Sequence, residues 1–380
     1  MRLIHTSDWH FGKRFQETDM IPLQEKFCDW LVDLIVQEKI DGVLIAGDLY
    51  DRSNPKEDAV DLLDDVLHRI SAAGASMVAI SGNHDSAERL HFGTRFMAGN
   101  GLTISTERRQ VELIAPPTTL IGRDGNEVEI LPLPYLDPQR VALQDAAKRD
   151  HTTVLQAVIN NQISQLKNPA RTIAMSHAFV VGGTTSDSER ALTIGGTGSV
   201  PADLFSQFGY TALGHLHRPQ ELSGGLLAYS GSPMSYSFSE EHDKSVRIVE
   251  VTEAGITSHQ LKIDGGRAVV TIRDTYDNVL HSAKYNAHVG SFVRVQITDS
   301  NFKVGAMEAL RNRFPHILEL EQIAITEQGQ LDIEKLRGLA KRSEKEVIHG
   351  YVEETFEDGL DEFELQFLNE SMESVLKGDH

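Results

Sequence analysis

The sequence predicts an α/β layered fold, and three observations carry that expectation. Short apolar or β-branched runs alternate with stretches of helical apolar spacing. Each of five such runs is followed directly by a motif of Asp, His or Asn. The chain has 380 residues, more than one ordinary core serves, so two domains or one large domain with appendages is expected.

Taken in order, Leu3-Ile4-His5 and Val43-Leu44-Ile45-Ala46 read as buried strands. Between them Leu23, Phe27, Trp30, Leu31, Leu34 and Ile35 recur at helical spacing. Ala59, Leu62, Leu63, Val66, Leu67 and Ile70 do the same before a third strand, Met77-Val78-Ala79-Ile80. A β-rich stretch follows from Val111 to Pro134, with Pro116-Pro117 and Asp124-Gly125-Asn126 as turn signals. Thr172-Ile173-Ala174-Met175 and Thr211-Ala212-Leu213 read as further buried strands. Leu226 to Tyr229 and Val246 to Val251 read as the second half of a layered sheet core. Asp264-Gly265-Gly266-Arg267 reads as a boundary. Beyond it, a strand at Phe292–Ile297, a helix from Val304 to Phe314 and a strand at Ile317–Leu320 suffice for a small α+β module. The tail from about 335 to 380 carries apolar stripes (Val347, Ile348, Tyr351, Val352, Phe356, then Leu360, Phe363, Phe367) on acidic helices.

The single cysteine, Cys28, excludes an internal disulfide framework and fits a reducing compartment. The amino terminus turns polar by His5, too early for a signal-peptide core, and no apolar run reaches membrane-spanning length. A cytoplasmic protein is expected. The net charge of −20 argues against a nucleic-acid binder that works by bulk electrostatics, since phosphate neutralisation needs Lys and Arg. It leaves room for a phosphodiester substrate held by a local cationic site.

The strand-end motifs are Asp8-Trp9-His10, Gly47-Asp48-Leu49-Tyr50-Asp51, Gly82-Asn83-His84-Asp85, Ser176-His177-Ala178 and Gly214-His215-Leu216-His217. Singly, each has an ordinary explanation, since an Asp at a strand end is more often a turn residue or cap than a ligand. Together they differ. Ligands in open α/β sheets bind beyond the carboxyl ends of strands, so five such loops converge on one crevice. His68, His91, His151, His242 and His349 have no such context and are read as helix or loop residues. Imidazoles, carboxylates and one amide suit Mn²⁺, Fe²⁺ or Zn²⁺ better than an all-oxygen Ca²⁺ cage. Two divalent ions beside ionised Asp8 and Asp48 leave a charge of about +2, enough to hold a phosphodiester on an acidic protein.

These motifs resemble the calcineurin-like metallophosphoesterase superfamily. The wider sequence is similar to one branch, the nuclease subunits of bacterial SbcCD complexes. The stretches that carry the similarity are HTSDWHFGK from His5, AGDLYD from Ala46, SGNHDSAERL from Ser81, ILPLPYL from Ile130, SHAFV from Ser176, SDSERALTIGGTGSVPADLF from Ser186, YTALGHLHRPQ from Tyr210 and YSGSPMSYSFSE from Tyr229. The resemblance implies a four-layer α-β-β-α sandwich over 1–266, a small DNA-contacting α+β cap over 267–325, and a linker with partner-binding helices over 326–380. It implies two ions, Mn²⁺ with Mg²⁺ as the alternative. Asp8, His10 and His217 would hold one, Asn83, His177 and His215 the other, and Asp48 would bridge them. His84 matches the family's catalytic histidine, with Asp85 placed to orient it, while Asp51 and Arg52 are read as structural supports.

The implied activity is 3′→5′ exonuclease and single-strand endonuclease cleavage. The implied assembly is a homodimer within a heterotetramer with an SbcC/Rad50-type coiled-coil ATPase, acting on DNA ends and hairpins. Arg267, Arg273, Lys303, Arg311 and Arg313 of the cap are candidates for phosphate contact. The competing readings are a stand-alone phosphodiesterase acting on small nucleotides, which needs neither cap nor tail, and a non-enzymatic scaffold for the ATPase. The scaffold reading predicts missing ligands; all seven are present.

Overall fold

The structure is a computed structural model that describes residues 1–143, 150–189, 198–299 and 305–323. The chain divides into two compact units. One comprises Met1–Thr271, Ala287–Arg294 and Phe314–Leu318; the other comprises Ile272–Asn286, Val295–Arg313 and the chain from Glu319 onward.

The first unit is built on two six-stranded sheets. In one, Arg2–Thr6, Gly42–Ala46, Ser76–Ile80 and Leu102–Ser105 lie side by side and parallel. An antiparallel hairpin, Ser245–Thr252 and Gly255–Lys262, extends that sheet beyond Arg2–Thr6. In the other, Leu227–Tyr229, Tyr210–Gly214, Ile173–His177 and Glu127–Leu133 are parallel neighbours. Gln220–Leu222 and Thr118–Ile121 flank them, each antiparallel to its neighbour.

Side-chain alternation along each strand sets the layers. Leu3, Leu44, Ala46, Val78 and Ile80 of the first sheet share a buried core with Val128, Ile130, Ile173, Met175 and Ala212 of the second. Their neighbours Ile4, Val43, Ile45, Met77 and Ala79 instead pack with Phe27, Leu31, Leu63 and Val66 of helices Ile21–Gln37 and Glu57–Ala72. On the second sheet Leu131, Leu133, Ala174 and Leu213 join Val154, Leu155 and Val158 of helix His151–Gln162. Both faces of each sheet are therefore covered, which is why the central strands read as unbroken apolar runs. The result is the expected α-β-β-α sandwich.

The two strands read as one continuing half-core belong to different sheets. Leu227–Tyr229 lies in the second, whereas Ser245–Thr252 returns to the first and pairs with Arg2–Thr6. Apolar periodicity reports burial and carries no information about which sheet a strand joins.

Val269–Asp274, Phe292–Ile297 and Ile317–Gln322 form a three-stranded sheet with Phe292–Ile297 in the middle. The second unit contains helix Tyr276–His281, whose amino terminus is capped by Thr275, and helix Ala306–Arg313. The tail helices expected from about 335 to 380 lie outside the described residues, as does Lys303. Among the described residues, no helix is long and apolar enough to cross a membrane.

Candidate metal centre

The candidate ligands stand where parallel strands of the two sheets end. Arg2–Thr6, Gly42–Ala46 and Ser76–Ile80 lead into Asp8, Asp48 and Asn83; Ile173–His177 and Tyr210–Gly214 deliver His177 and His215. The backbone must turn sharply to present them. Eight non-glycine described residues have positive φ, and four of these are candidate ligands: Asp8 (55°), His10 (47°), Asp48 (51°) and His215 (102°). Such conformations cost about 1–3 kcal/mol each and persist only where surrounding structure enforces them. Here Asp8 N–H donates to the Gly47 carbonyl and His10 N–H to the Asp48 carbonyl, both at 3.0 Å. Two glycines allow the close approach. A Cβ on Gly47, itself at φ 94°, would fall 2.3 Å from His177 Nδ1, and one on Gly82 would fall 2.1 Å from Asp48 Oδ1.

The side chains converge. Asp8, His10 and His217 form one group of donor atoms lying within 4.8 Å of one another, Asp8, Asp48 and His177 a second, and His10, Asp48 and His84 a third. Asp48 Oδ2 lies 3.5 Å from His10 Nε2 and 3.4 Å from His177 Nε2. His10 Nε2 and His217 Nε2 stand 3.1 Å apart. Asn83 Oδ1 lies 2.9 Å from His177 Nε2 and 3.1 Å from His215 Nδ1. Donors about 2.0–2.2 Å from a shared ion are separated by roughly 3–3.5 Å at octahedral or tetrahedral angles. The observed separations match that spacing. All seven expected ligands are thus brought together, with the Asp48 carboxylate between the two sets.

Hydrogen bonds on the far side of the His177 and His84 rings fix how those rings face the centre. His177 Nδ1 donates to the Ala46 carbonyl at 2.9 Å, which turns Nε2 towards Asp48 and Asn83. His84 Nδ1 donates to the Asp51 carbonyl at 2.7 Å, and His84 N–H donates to Asp48 Oδ1 at 2.8 Å. Asp85 accepts from the backbone N–H groups of Leu49, Tyr50 and Gly82. Those bonds tie the Asp48 loop to the Asn83 loop, so this hold on His84 runs through the shared backbone.

Asp51, read as a support, is more central than expected. Besides its carbonyl bond to His84, its carboxylate accepts from Lys13 at 2.8 Å and lies 3.8 Å from His10 Nδ1. Sequence reasoning also missed Ser188, Glu189 and Glu240, which contact His217. They sit inside two of the stretches that carried the family resemblance, but nothing in their local pattern marks them out.

The profile of the calcineurin-like phosphoesterase family matches residues 1–219. The SbcD subunit of the SbcCD nuclease of Staphylococcus saprophyticus is 30% identical over 84% of this chain and 84% of its own length. Its counterpart in Staphylococcus epidermidis is 30% identical over 85% of this chain and 86% of its own. The chain belongs to the calcineurin-like phosphoesterases, in the family of SbcD nuclease subunits. A dimetal phosphatase from Danio rerio, 12% identical, aligns over 69% of this chain and 98% of its own with a TM-score of 0.41.

In this phosphoesterase the site is buried and strongly polarised. Burial pushes the Asp8 carboxyl up to about 6. Burial and then the nearby Asp48 charge push Asp85 up to about 7. Burial also opposes ionisation of Asp48, yet the His177 and His84 imidazoles outweigh it and hold Asp48 well below the usual carboxylate range. The same pair seen from the other side carries His177 up to about 9 against its burial. Burial, then His177, lowers His215 to about 3, and burial holds His10 well below its ordinary value. Imidazoles gathered around carboxylates and one amide oxygen form the kind of donor set that a borderline divalent cation takes.

Outside the site, His68 and His151 lie on helices and His91 ends one, as expected. His242 lies in a loop, also as expected, and its Nε2 bonds the His217 carbonyl at 3.2 Å. Among the arginines considered for phosphate contact, Arg313 directs its guanidinium to the carbonyls of Val279 and Ser282. Arg267 donates to the Gly290 carbonyl at 2.8 Å and lies over the Phe292 ring.

Proposed function

We propose that this chain is the two-metal nuclease subunit of a DNA-end and hairpin processing complex. The observation that carries the reading is the placement of Asp48 Oδ2 between His10 and His177, with the remaining donors distributed on either side. Asp8, His10 and His217 would hold one divalent ion, Asn83, His177 and His215 the other, and Asp48 both. Manganese suits this donor set, with magnesium as the alternative. Two such ions, when bound, supply a positive clamp for a phosphodiester and an activated water for in-line attack.

The chain's own residues supply the rest. Asp48 fixes the relation between the two halves and holds the His84 loop through its N–H. With Nδ1–H committed to the Asp51 carbonyl, Nε2 is the atom that His84 turns to the substrate. Protonated there, it donates a proton to the leaving 3′-oxygen or a hydrogen bond to the phosphate. Asp85 keeps the two loops in register. Burial of the ligands excludes bulk water and strengthens each of these interactions.

In this reading residues 1–266 form the nuclease domain, 267–325 the cap that contacts DNA, and 326–380 the linker and helices that bind an SbcC/Rad50-type coiled-coil ATPase. The functional unit is a homodimer within a heterotetramer, working in the cytoplasm. The two staphylococcal relatives are named as subunits of the SbcCD nuclease, which supports the nuclease and complex assignments.

The test is a Mn²⁺-dependent assay on duplex ends, hairpins and cyclic nucleotides, run with and without the ATPase. Cleavage of DNA that rises with the ATPase is expected. Turnover of cyclic nucleotides alone would replace this reading with a stand-alone phosphodiesterase.

A further inference from the structure

We propose that Ser188, Glu240 and Lys244 form a positioning relay that fixes His217 for the ion it would share with Asp8 and His10. The proposal rests on the two-metal reading and deepens it. Glu240 is fully buried, and the Lys244 side chain is 9% exposed. Neither coordinates anything in the proposed reaction, and a buried charge pair is kept at a desolvation cost, so its presence needs a reason.

The hydrogen bonds supply one. Glu240 Oε2 accepts from Lys244 Nζ and from Ser232 Oγ, while Oε1 accepts from Ser188 Oγ and from the Tyr236 N–H. The Ser188 hydroxyl hydrogen therefore goes to a charged acceptor. Its oxygen, 2.7 Å from His217 Nδ1, is left to accept the ring N–H. A proton fixed on Nδ1 places the lone pair on Nε2, the atom 3.1 Å from His10 Nε2 in the centre.

The backbone of His217 is held as well. Its N–H donates to Glu189 Oε1 at 2.6 Å, and its carbonyl accepts from Ser232 N–H at 3.2 Å and Lys244 Nζ at 3.3 Å. Lys244 thus binds both the relay's carboxylate and the ligand's own carbonyl. Carboxylates that orient a metal-bound imidazole are common, and here a serine hydroxyl bridges acid and ring beside their longer direct contact of 3.4 Å.

The test is Mn²⁺ titration of the full-length protein by calorimetry, joined to ¹⁵N NMR of the histidine rings in metal-free protein. Wild type is expected to take two ions and to show His217 as the Nδ1–H tautomer. Ser188→Ala and Glu240→Gln should each weaken one of the two ions by about 10–100-fold, leave the other near wild type, and shift His217 towards mixed tautomers. Ser188→Thr, which keeps the hydroxyl, should restore both readouts. Should Glu240→Gln fail to fold, the Ser188 pair carries the test. Loss of general stability alone would not move one tautomer selectively. Two ions bound with wild-type affinity in Ser188→Ala, with an unchanged His217 tautomer, overturns the relay alone. Wild type binding fewer than two ions overturns the two-metal reading and the relay with it.

Discussion

Asp48 sits at a crossing of constraints: Oδ1 accepts the His84 N–H, Oδ2 faces two imidazoles, and its backbone is left-handed. Its neighbour in function, His84, faces a narrower demand. His84→Ala should retain both metals by elemental analysis and lose about 10²–10⁴-fold in turnover. Unchanged turnover would remove His84 from the chemistry. The pH dependence of the metal-free protein follows from His177. Its pKa is raised from 6.5 to about 9, so the protonated ring is favoured in the folded state and its contribution is complete below about pH 6.5. That contribution is lost as pH rises through about 9. His10 and His215, whose pKa values are lowered, contribute in the opposite sense but only below about 6.5. Thermal melts of metal-free protein should therefore fall between pH 6.5 and 9. Metal-loaded protein should resist, because an ion replaces the proton on His177.

At the scale of elements, the central strands and the two helices at Ile21–Gln37 and Glu57–Ala72 were legible because both faces of each sheet are covered. That covering leaves unbroken apolar runs for strands and clear stripes for helices. The convergence of the candidate ligands was legible for a related reason, since each of them follows such a run within a few residues. Edge elements were not. Gly255–Lys262 is a half-exposed, largely polar edge strand paired along its whole length with Ser245–Thr252, so its identity comes from its partner. Helix His151–Gln162 contains Thr, Val, Ile and Asn, all weak helix formers, and is stabilised by packing. Glu240 and Ser188 escaped notice because their role depends on a fold that brings positions 188, 217 and 240 together. Leu44, fully buried between the sheets, links the layers beneath the site. Leu44→Ala should cost about 2–5 kcal/mol in denaturant unfolding and also weaken metal binding. Metal affinity unchanged by that loss would mean the loops hold the site without help from the sheets.

For the whole molecule, the acidity that first argued against nucleic acid becomes intelligible once two ions supply the local positive charge. On the proposed reading, a chain with net charge −20 would also gain from a partner that grips the duplex for it. Removing residues 326–380 should abolish binding of the ATPase in a pull-down while leaving metal content and unassisted cleavage unchanged; retained ATPase binding would place the docking surface elsewhere. The most direct test of the central claim is electron paramagnetic resonance of the Mn²⁺-loaded protein, with metal content measured on the same sample. Two manganese ions per chain with the signature of a spin-coupled pair are predicted, and Asp48→Ala should lose that coupling together with bound metal. A single ion, or two uncoupled ions unaffected by Asp48→Ala, would contradict a two-metal centre bridged by Asp48.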